Sequence, residues 1–528
     1  MNLIEDPWIP VQRESGKLQN ISPWQITERD DPIVRLSSPR HDFDGALVQF
    51  LIGLLQTTSI PQNDEQWLEW LLNPPSTETL NEKFSAFKSA FELTGDAPRF
   101  MQDFDELDGE DKPISGLMIE APGGRTEKLF LDHFIKGGSY NGLCHCCAAT
   151  ALFAMQTNAP AGGVGHRTSL RGGGPLTTLV IPDVEAEESL PDTLWTLLWL
   201  NVLNQKSVGN LTGAVELKEP ADIFPWLRYT RTSESKTGQP TTPMDAHPLQ
   251  MYWAMPRRIR LVINDNEQGC CDLCGVEDQS LITHYQTKNY GPNYDGAWRH
   301  PLSPHYQDKK TLEYLPMHAQ PGGLAYRYWL GWTQGDGFYQ PAKVVREYLD
   351  VEGKKAKHEM LRLWVFGYDM DNMKARCWYE KQYPLMVIED EEQRQLFAER
   401  VQALLDLATQ LAGFVQSCVK EAWFDRPSDA RGDVGFIKEA FYEQTESAFI
   451  AMLYILQSNT KKEVIQQWHS QLAHHALRLF DYWVAKGDMA SENPRRIAEA
   501  HRKLRNLIYG KKLLEKLGIE INKGVAVV

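Results

Sequence analysis

The sequence of 528 residues predicts an α+β fold followed by an all-α part. From residue 1 to about 385, short β-like runs alternate with helical stretches, and Gly, Pro and Trp are scattered throughout. From about Glu391 onward, apolar residues recur every three or four positions, which is typical of amphipathic helices. Two cysteine clusters lie far apart within the first part. We therefore expect a large irregular α+β domain with a structural zinc site at 1–385 and a four-helix bundle at 386–528.

The first part contains several strand and helix patterns. The runs at 177–184 (TTLVIPDV) and 257–265 (RRIRLVIND) indicate strands, and 44–57 indicates a helix. Farther along, the apolar run 363–366 and the segment 376–379 flank a polar tip, which predicts a β-hairpin. An ordinary surface turn is the alternative for that tip.

Four amphipathic helices are predicted in the second part. The first begins near Glu391 and spans about nine turns, the second covers about 435–457, and the third about 462–486. The fourth opens at Asn493, which can cap it, with Pro494 in its first turn. The apolar stripe of the first helix comprises Phe397, Val401, Leu404, Ala408, Leu411, Val415, Cys418 and Ala422.

Composition restricts the class of protein. The net charge is −15, from 55 basic and 70 acidic residues, which argues against a protein that coats nucleic acid indiscriminately. The net charge is still compatible with a small basic site. It is also compatible with a place in an assembly whose other members supply positive charge. The longest apolar stretch, Leu194–Leu203, is shorter than a membrane span, and the first residues do not resemble a signal peptide. We therefore expect a cytoplasmic protein without membrane contact.

The two cysteine clusters each contain a C-x-x-C pair, Cys144/Cys147 and Cys271/Cys274. Four thiolates suit tetrahedral Zn²⁺ and leave no open position for catalysis, so the metal would join two remote loops. Reduced structural thiols are the alternative. The neighbouring residues that could replace one of the four ligands are His145, Cys146 and Cys270.

A glycine-rich segment, Gly162–Gly174, surrounds three basic or titratable residues, His166, Arg167 and Arg171. It matches neither the Walker loop nor the dinucleotide-binding fingerprint. Such a pattern favours close approach of the backbone to a negatively charged partner, and a flexible surface loop is the alternative.

The fourth predicted helix is strongly basic in an otherwise acidic chain. It is either a solvated helix face or a surface for a nucleic-acid backbone. The residues that carry this prediction are Arg495, Arg496, Arg502, Lys503 and Arg505.

No motif in the sequence favours an enzyme. The dipeptide His41-Asp42 is part of the metal-ligand motif of phosphohydrolases, and with Asp44 it supports the alternative of a metal-dependent nuclease. No second histidine-rich motif accompanies it, and neither G-x-S-x-G nor H-E-x-x-H occurs. We therefore expect a protein without enzymatic activity.

Taken together, these features resemble the CasA family, the large subunits of type I-E CRISPR surveillance complexes, called Cascade. The resemblance covers essentially the whole chain. The segments that carry it are NLIEDPWIPV, SSPRHDFDGA, LCHCCAATALF, APAGGVGHRTSLRGGGPLTTLV, CDLCG and GAWRHPLSP.

The resemblance implies a non-enzymatic role in DNA recognition. Members of the family test double-stranded DNA for the protospacer-adjacent motif (PAM) through the minor groove and help to start strand separation. The guide RNA then pairs with the target strand, and a helicase–nuclease is recruited after the R-loop forms. The partners implied are target DNA, CRISPR guide RNA, other Cascade subunits and the helicase–nuclease. A purely structural scaffold, whose glycine segment contacts another protein, is a further alternative.

The resemblance also implies site residues. The wedge that props the duplex open matches Asn372, with Asp371 before it, and Met370 or Met373 could supply an apolar wedge instead. The zinc ligands match the four cysteines of the two C-x-x-C pairs. The family's glycine loop matches Ala161, Gly162, Gly163, Val164 and Gly165; its groove-reading lysine matches Lys288 or Asn289; and its loop toward the guide RNA 5′ handle includes Phe130, Phe134 and Lys136.

Overall fold

A computed structural model of the chain describes most of its residues in two compact units. The first unit is Met1–Gln320 with Gly337–Val387, and the second is Pro321–Asp336 with Ile388–Val528. The described residues are 1–96, 98–109, 111–123, 126, 128–130, 138–183, 190–234, 236–264, 267–352, 360–371, 374–429, 432–458, 461–487 and 493–519. The prediction of a mixed helix and strand composition is confirmed.

The strands of the first unit form small sheets. Their orders are β2-β1-β3, β11-β10-β12, β14-β13-β5, β4-β9-β6 and β7-β8. The strands are β1 (Ile9–Arg13), β2 (Leu18–Ile21), β3 (Ile33–Leu36), β4 (Lys112–Pro113), β5 (Thr177–Pro182), β6 (Arg258–Val262), β7 (Gly269–Cys270), β8 (Glu277–Asp278), β9 (His284–Lys288), β10 (His305–Gln307), β11 (Tyr314–Pro316), β12 (Tyr339–Gln340), β13 (Met360–Asp371) and β14 (Lys374–Met386).

The helices of the first unit are short apart from two. These two, α1 and α4, pack on each other in the core. The helices are α1 (His41–Thr58), α2 (Asp64–Leu72), α3 (Thr77–Ser85), α4 (His145–Asn158), α5 (Leu194–Trp199), α6 (Gln205–Gly209) and, beyond the second unit's insertion, α8 (Lys343–Glu347). Among the described helices of the whole chain, none combines the length and the apolar composition that a membrane span needs.

An aromatic cluster around Phe50 of α1 forms the centre of this core. Phe50 packs edge-to-face against Trp8, Phe153 and Trp253, with ring centroids 5.1 to 5.7 Å apart. Each such pair adds about 0.5–1.5 kcal/mol to the free energy of burying its rings. Because Phe153 belongs to α4, the cluster fixes the helix that leads into the glycine-rich segment.

The second unit consists of helices. Most of them lie in the C-terminal part of the chain, and one short helix lies in the segment Pro321–Asp336, which is inserted between the two parts of the first unit. Its helices are α7 (Trp329–Thr333), α9 (Glu391–Trp423), α10 (Phe436–Ser458), α11 (Lys461–Ala485), α12 (Pro494–Tyr509) and α13 (Lys511–Leu517). Helix α9 contacts α10, α11 and α12. Asn493 accepts a hydrogen bond from Arg496 N–H, which confirms its predicted capping role. From the inserted segment, Tyr326 stacks on Phe449 at 4.4 Å and shares a hydrogen bond with Thr445.

Three histidines are buried in the first unit near the cation of Arg171. Burial lowers the pKa of His305 to about 3 and lowers that of His300 well below its ordinary value, and the Arg171 charge acts in the same direction. The pKa of His318 is lowered for the same reasons. His300 and His305 are therefore neutral in the folded protein near pH 7.

We expect the free energy of unfolding to fall as the pH decreases from about 6.5 toward 3. In this range the unfolded chain protonates histidines that the folded chain keeps neutral, so each contributes a slope of up to about 1.4 kcal/mol per pH unit. Urea denaturation of His305→Gln should show a shallower pH dependence than the native sequence. The control is His284→Gln, at an exposed histidine. An unchanged slope in His305→Gln would contradict the assignment.

Candidate metal centre and nucleic-acid interface

The four predicted cysteine ligands come together in the first unit. The sulfur atoms of Cys144, Cys147, Cys271 and Cys274 all lie within 4.8 Å of one another. The Sγ atoms of Cys144 and Cys274 are 3.6 Å apart. Four sulfurs around one tetrahedral Zn²⁺, each about 2.3 Å from it, stand roughly 3.8 Å from each other. The arrangement therefore fits a metal ion.

Local backbone structure presents these sulfurs. Cys144 is the N-cap residue of α4, and its sulfur accepts a hydrogen bond from Cys147 N–H at 3.5 Å. On the second cluster, Cys271 C=O accepts from Gly275 N–H at 2.9 Å, which closes a tight turn. Gly275 has φ +72°, a conformation that glycine adopts without strain.

Asp272 ties the metal centre to the segment before it. Its Oδ2 atom accepts hydrogen bonds from the backbone N–H groups of Asn141 (2.5 Å) and Gly142 (3.0 Å). Leu143 and Ile282 exchange two further backbone bonds. The cysteine cluster therefore fixes the end of the segment for which the family resemblance implies a contact with guide RNA.

The alternative ligands lie outside the cluster. His145 Nδ1 is 3.3 Å from an oxygen of Asp278, and Cys270 is exposed. The pKa of Cys144 is lowered because Cys146 and Cys147 donate hydrogen bonds to its sulfur.

The glycine loop, residues 161–165, is held by the segment after β9. Asn289 Nδ2 donates to the carbonyl oxygen of Val164 at 2.8 Å, and Tyr290 N–H donates to that of Gly165 at 2.7 Å. A Cβ atom at Gly165 would lie 2.9 Å from the Cβ of Asn289. At Gly165, therefore, the absence of a side chain allows close packing against a residue of the same protein.

Gly163 differs from Gly165 in its surroundings. It has φ +85°, and a Cβ atom there would meet nothing within 4 Å. Val164 beside it is 77% exposed. The tip of the loop is thus open to a partner, whereas its base is packed.

Arg257 supports the other side of the loop. Its guanidinium donates to the carbonyl oxygen of Pro160, and it lies 3.1 Å from the position of a Cβ atom at Gly162. Burial lowers the pKa of Arg257 to about 10. Burial and this neighbouring cation both lower the pKa of His166.

Lys288 and Asn289 are both exposed but occupy different structural positions. Lys288 is the last residue of β9 and pairs with Arg258 of β6. Asn289 is the residue whose side chain contacts the glycine loop.

The predicted hairpin is present as β13 and β14. Asp371 pairs with Lys374 at its end, and the ladder shifts register between Asp369 and Met370. Asp369 accepts two hydrogen bonds from Arg376, at 2.7 and 3.1 Å. Asn372 and Met373 lie outside the described residues.

The far end of the glycine-rich segment packs on this hairpin. Gly174 has φ +60°, and a Cβ atom there would lie 2.7 Å from the Cβ of Tyr368 and 2.8 Å from Met370 Cε. The hydroxyl of Tyr368 in turn donates to Asp42 of α1. The residues that lead from the glycine loop to Gly174 therefore connect the loop to the hairpin.

The predicted RNA-contacting loop is described only in part. Phe130 is 82% exposed and has φ +53°. Phe134 and Lys136 lie outside the described residues.

The basic residues of α12 have unequal roles. Arg496 donates to the carbonyl oxygens of Ala422 (2.9 Å) and Trp423 (3.0 Å), so it caps the C-terminus of α9. Lys503 of α12 forms an ion pair with Glu421 of α9 at 2.6 Å. Arg495 pairs with Glu499 on its own helix, Arg502 is exposed and Arg505 is half-buried. Part of the predicted basic face thus stabilises the helical unit.

The geometry does not favour the nuclease alternative. Both carboxylate oxygens of Asp42 accept hydrogen bonds from Arg40, at 2.9 Å each, and Asp44 accepts from Ser38. His41 is largely exposed and lies 3.3 Å from Glu380. Among the described residues, the four cysteines are the group that could hold a metal ion.

Several contacting residues are not predictable from the sequence. Tyr290 and Ser233 reach the glycine segment from distant parts of the chain, and no local pattern distinguishes them. The sequence places Arg171 in the same basic group as His166 and Arg167. It is instead buried, and it donates to Thr177 and Ser303 at 3.1 Å each.

The chain is thus a two-unit protein that combines a mixed helix-and-strand unit, which contains a four-cysteine cluster, with a unit built of helices. The family model for CRISPR-associated protein Cse1 matches residues 2–479. The chain belongs to this family, and the predicted membership is confirmed.

Solved structures share the fold. CasA from Thermus thermophilus is 18% identical with a TM-score of 0.68, over 96% of this chain and 99% of that one. Thermobifida fusca Cse1 is 16% identical with a TM-score of 0.70, over 98% of both chains. A chain of a CRISPR RNA-guided surveillance complex is 16% identical with a TM-score of 0.69, over 97% of this chain and 99% of that one.

Removal of one cluster cysteine should release the metal. We expect Cys271→Ser to lower bound metal to near zero, measured by elemental mass spectrometry, and to lower the thermal unfolding midpoint because metal binding is coupled to folding. The control is Cys270→Ser, since Cys270 is adjacent but exposed and outside the cluster. Equal metal loss in both variants would contradict the ligand assignment.

Proposed function

We propose that the chain is the large subunit of a type I-E CRISPR surveillance complex and reads the PAM of double-stranded DNA through the minor groove. The observation that carries this proposal is the contact of Asn289 and Tyr290 with the glycine loop. This contact presents an open loop tip beside an exposed lysine, Lys288.

The chemistry of the loop suits a narrow groove. The minor groove is about 6 Å wide, so a backbone without side chains enters it where a larger residue would clash. Gly163 has that open geometry. Lys288 supplies a donor for base acceptors, and Asn289 has a carbonyl oxygen left for the amino group of guanine. Because minor-groove readout is degenerate, several related trinucleotides should be accepted.

The hairpin is the proposed wedge that starts strand separation. Its described strands end at Asp371 and Lys374, and the Asp369–Arg376 pair stiffens them below that end. Phosphates would repel the acid of Asp371. Asn372 is the matching wedge residue and Met373 the apolar alternative, since the side chain of Met370 packs against Gly174.

Contacts with RNA and protein partners complete the proposal. Phe130 and Phe134 would stack on bases of the guide RNA handle and Lys136 would contact phosphate. Zn²⁺ held by the four cysteines would fix this loop through Asp272. The second unit would form a four-helix bundle that contacts other Cascade subunits or the displaced strand. Its exposed cations include Arg502 and Arg495, the latter paired with Glu499. The helicase–nuclease recruited after R-loop formation supplies the cleavage, and this chain contributes no catalysis of its own.

Gly163→Asp should impair DNA recognition in the assembled complex. The added carboxylate would face phosphates in the groove, so we expect roughly tenfold or greater loss of affinity on preferred flanks and little discrimination among trinucleotides. Binding to targets with randomised flanks measures both.

The matched control is Gly16→Asp. Gly16 has φ +86° and equally open surroundings on the turn between β1 and β2, so the change imposes the same backbone strain. If Gly163→Asp prevents assembly and leaves DNA binding unchanged, the loop is a protein contact and the scaffold alternative holds.

A further inference from the structure

A second turn is attached to the glycine loop. We define the Ser233 turn as residues 230–234 and 236–241. Arg167 of the glycine segment donates to Ser233 Oγ at 2.7 Å and to its carbonyl oxygen at 3.1 Å. Ser233 N–H donates to the carbonyl oxygen of Tyr290 at 3.1 Å, and Ser233 Oγ to that of Gly291 at 2.7 Å. One serine therefore links both segments of the proposed groove-reading site.

The Ser233 turn is closed by its own hydrogen bonds. Gly238 N–H donates to Glu234 C=O at 2.7 Å, and Gln239 N–H to Thr232 C=O at 3.1 Å. A Cβ atom at Gly238 would lie 2.2 Å from Glu234 N, so the close packing requires glycine. The turn thus has a defined position relative to the glycine loop.

The charge around this junction is opposite to that of the chain. No Asp or Glu occurs at 159–182 or 279–294, and Glu234 is the acid of the Ser233 turn, although the chain has a net charge of −15. Arg231, by contrast, is neutralised by Asp245 at 3.1 Å. Lys236 is exposed and forms no ion pair with any residue that the structure describes. The excess of cations over acids at this junction suits a polyanion.

We infer that the Ser233 turn is a second DNA-contacting element and that Lys236 binds a backbone phosphate beside the base pairs read by the glycine loop. This inference rests on the proposed function. A phosphate contact fixes the register of the duplex and carries no sequence information. Lys236 therefore sets affinity, and the glycine loop sets preference.

Lys236→Ala in the assembled complex tests the inference. We expect weaker binding by the same factor on every flanking trinucleotide. Loss of one phosphate contact reduces the slope of log affinity against log salt by about 0.9. The ratio of native to variant affinity should therefore shrink roughly threefold between 0.05 and 0.2 M salt. The matched control is Lys310→Ala, an exposed lysine in the turn between β10 and β11.

The outcomes separate this inference from the proposed function. If Lys236→Ala keeps the native affinity and salt slope while Gly163→Asp loses discrimination, the inference fails and the proposed function stands. If Lys236→Ala lowers the slope while Gly163→Asp keeps discrimination, the turn binds DNA but motif reading by the glycine loop fails. A selective loss on some trinucleotides only, or a slope change of equal size in Lys310→Ala, also overturns the inference.

Discussion

The convergence of four cysteine sulfurs is the constraint on which the rest of the candidate site depends. It joins the start of α4 to a turn more than a hundred residues away in sequence. From there α4 runs into the glycine-rich segment, and β9, which follows the second cysteine pair, ends at Lys288. The cysteine cluster therefore fixes the starting points of the two segments that meet at Asn289. A metal ion bound to these four sulfurs would add its binding energy to the folding energy, because the site forms only in the folded chain.

The sequence predicted features that depend on short spacing. The two C-x-x-C pairs, the hairpin strands and the start of α12 at Asn493 and Pro494 are confirmed, since each follows from local ligand, turn or capping chemistry. Long-range polar partners were not predictable. Arg496 belongs to a basic run but caps α9, and Arg171 is buried against Thr177 and Ser303. The roles of these two arginines depend on how deeply each side chain is buried, and a local sequence pattern does not show burial.

The acidic net charge is compatible with the proposed basic site because the cations of the chain differ in how far acids neutralise them. On α12, Lys503 is matched by Glu421 and Arg495 by Glu499, so these cations contribute little net field. Around the glycine loop, Arg167 instead binds the neutral groups of Ser233. Each cation left without an acid there adds to the local potential, and salt screens it over roughly 8–10 Å.

The valine at position 164 of the glycine loop has a physical explanation. At position 164 the loop uses the backbone carbonyl, which accepts from Asn289, while the Val164 side chain is exposed and contributes nothing to that contact. A valine is therefore tolerated by the fold. In a groove about 6 Å wide, however, its two methyl groups would occupy space beside the bases and could not hydrogen-bond to them. The fold thus accepts a valine at this position. In the proposed groove contact the valine would change the recognition chemistry, so the motif preference of this chain should differ from that of a relative with glycine at the same position.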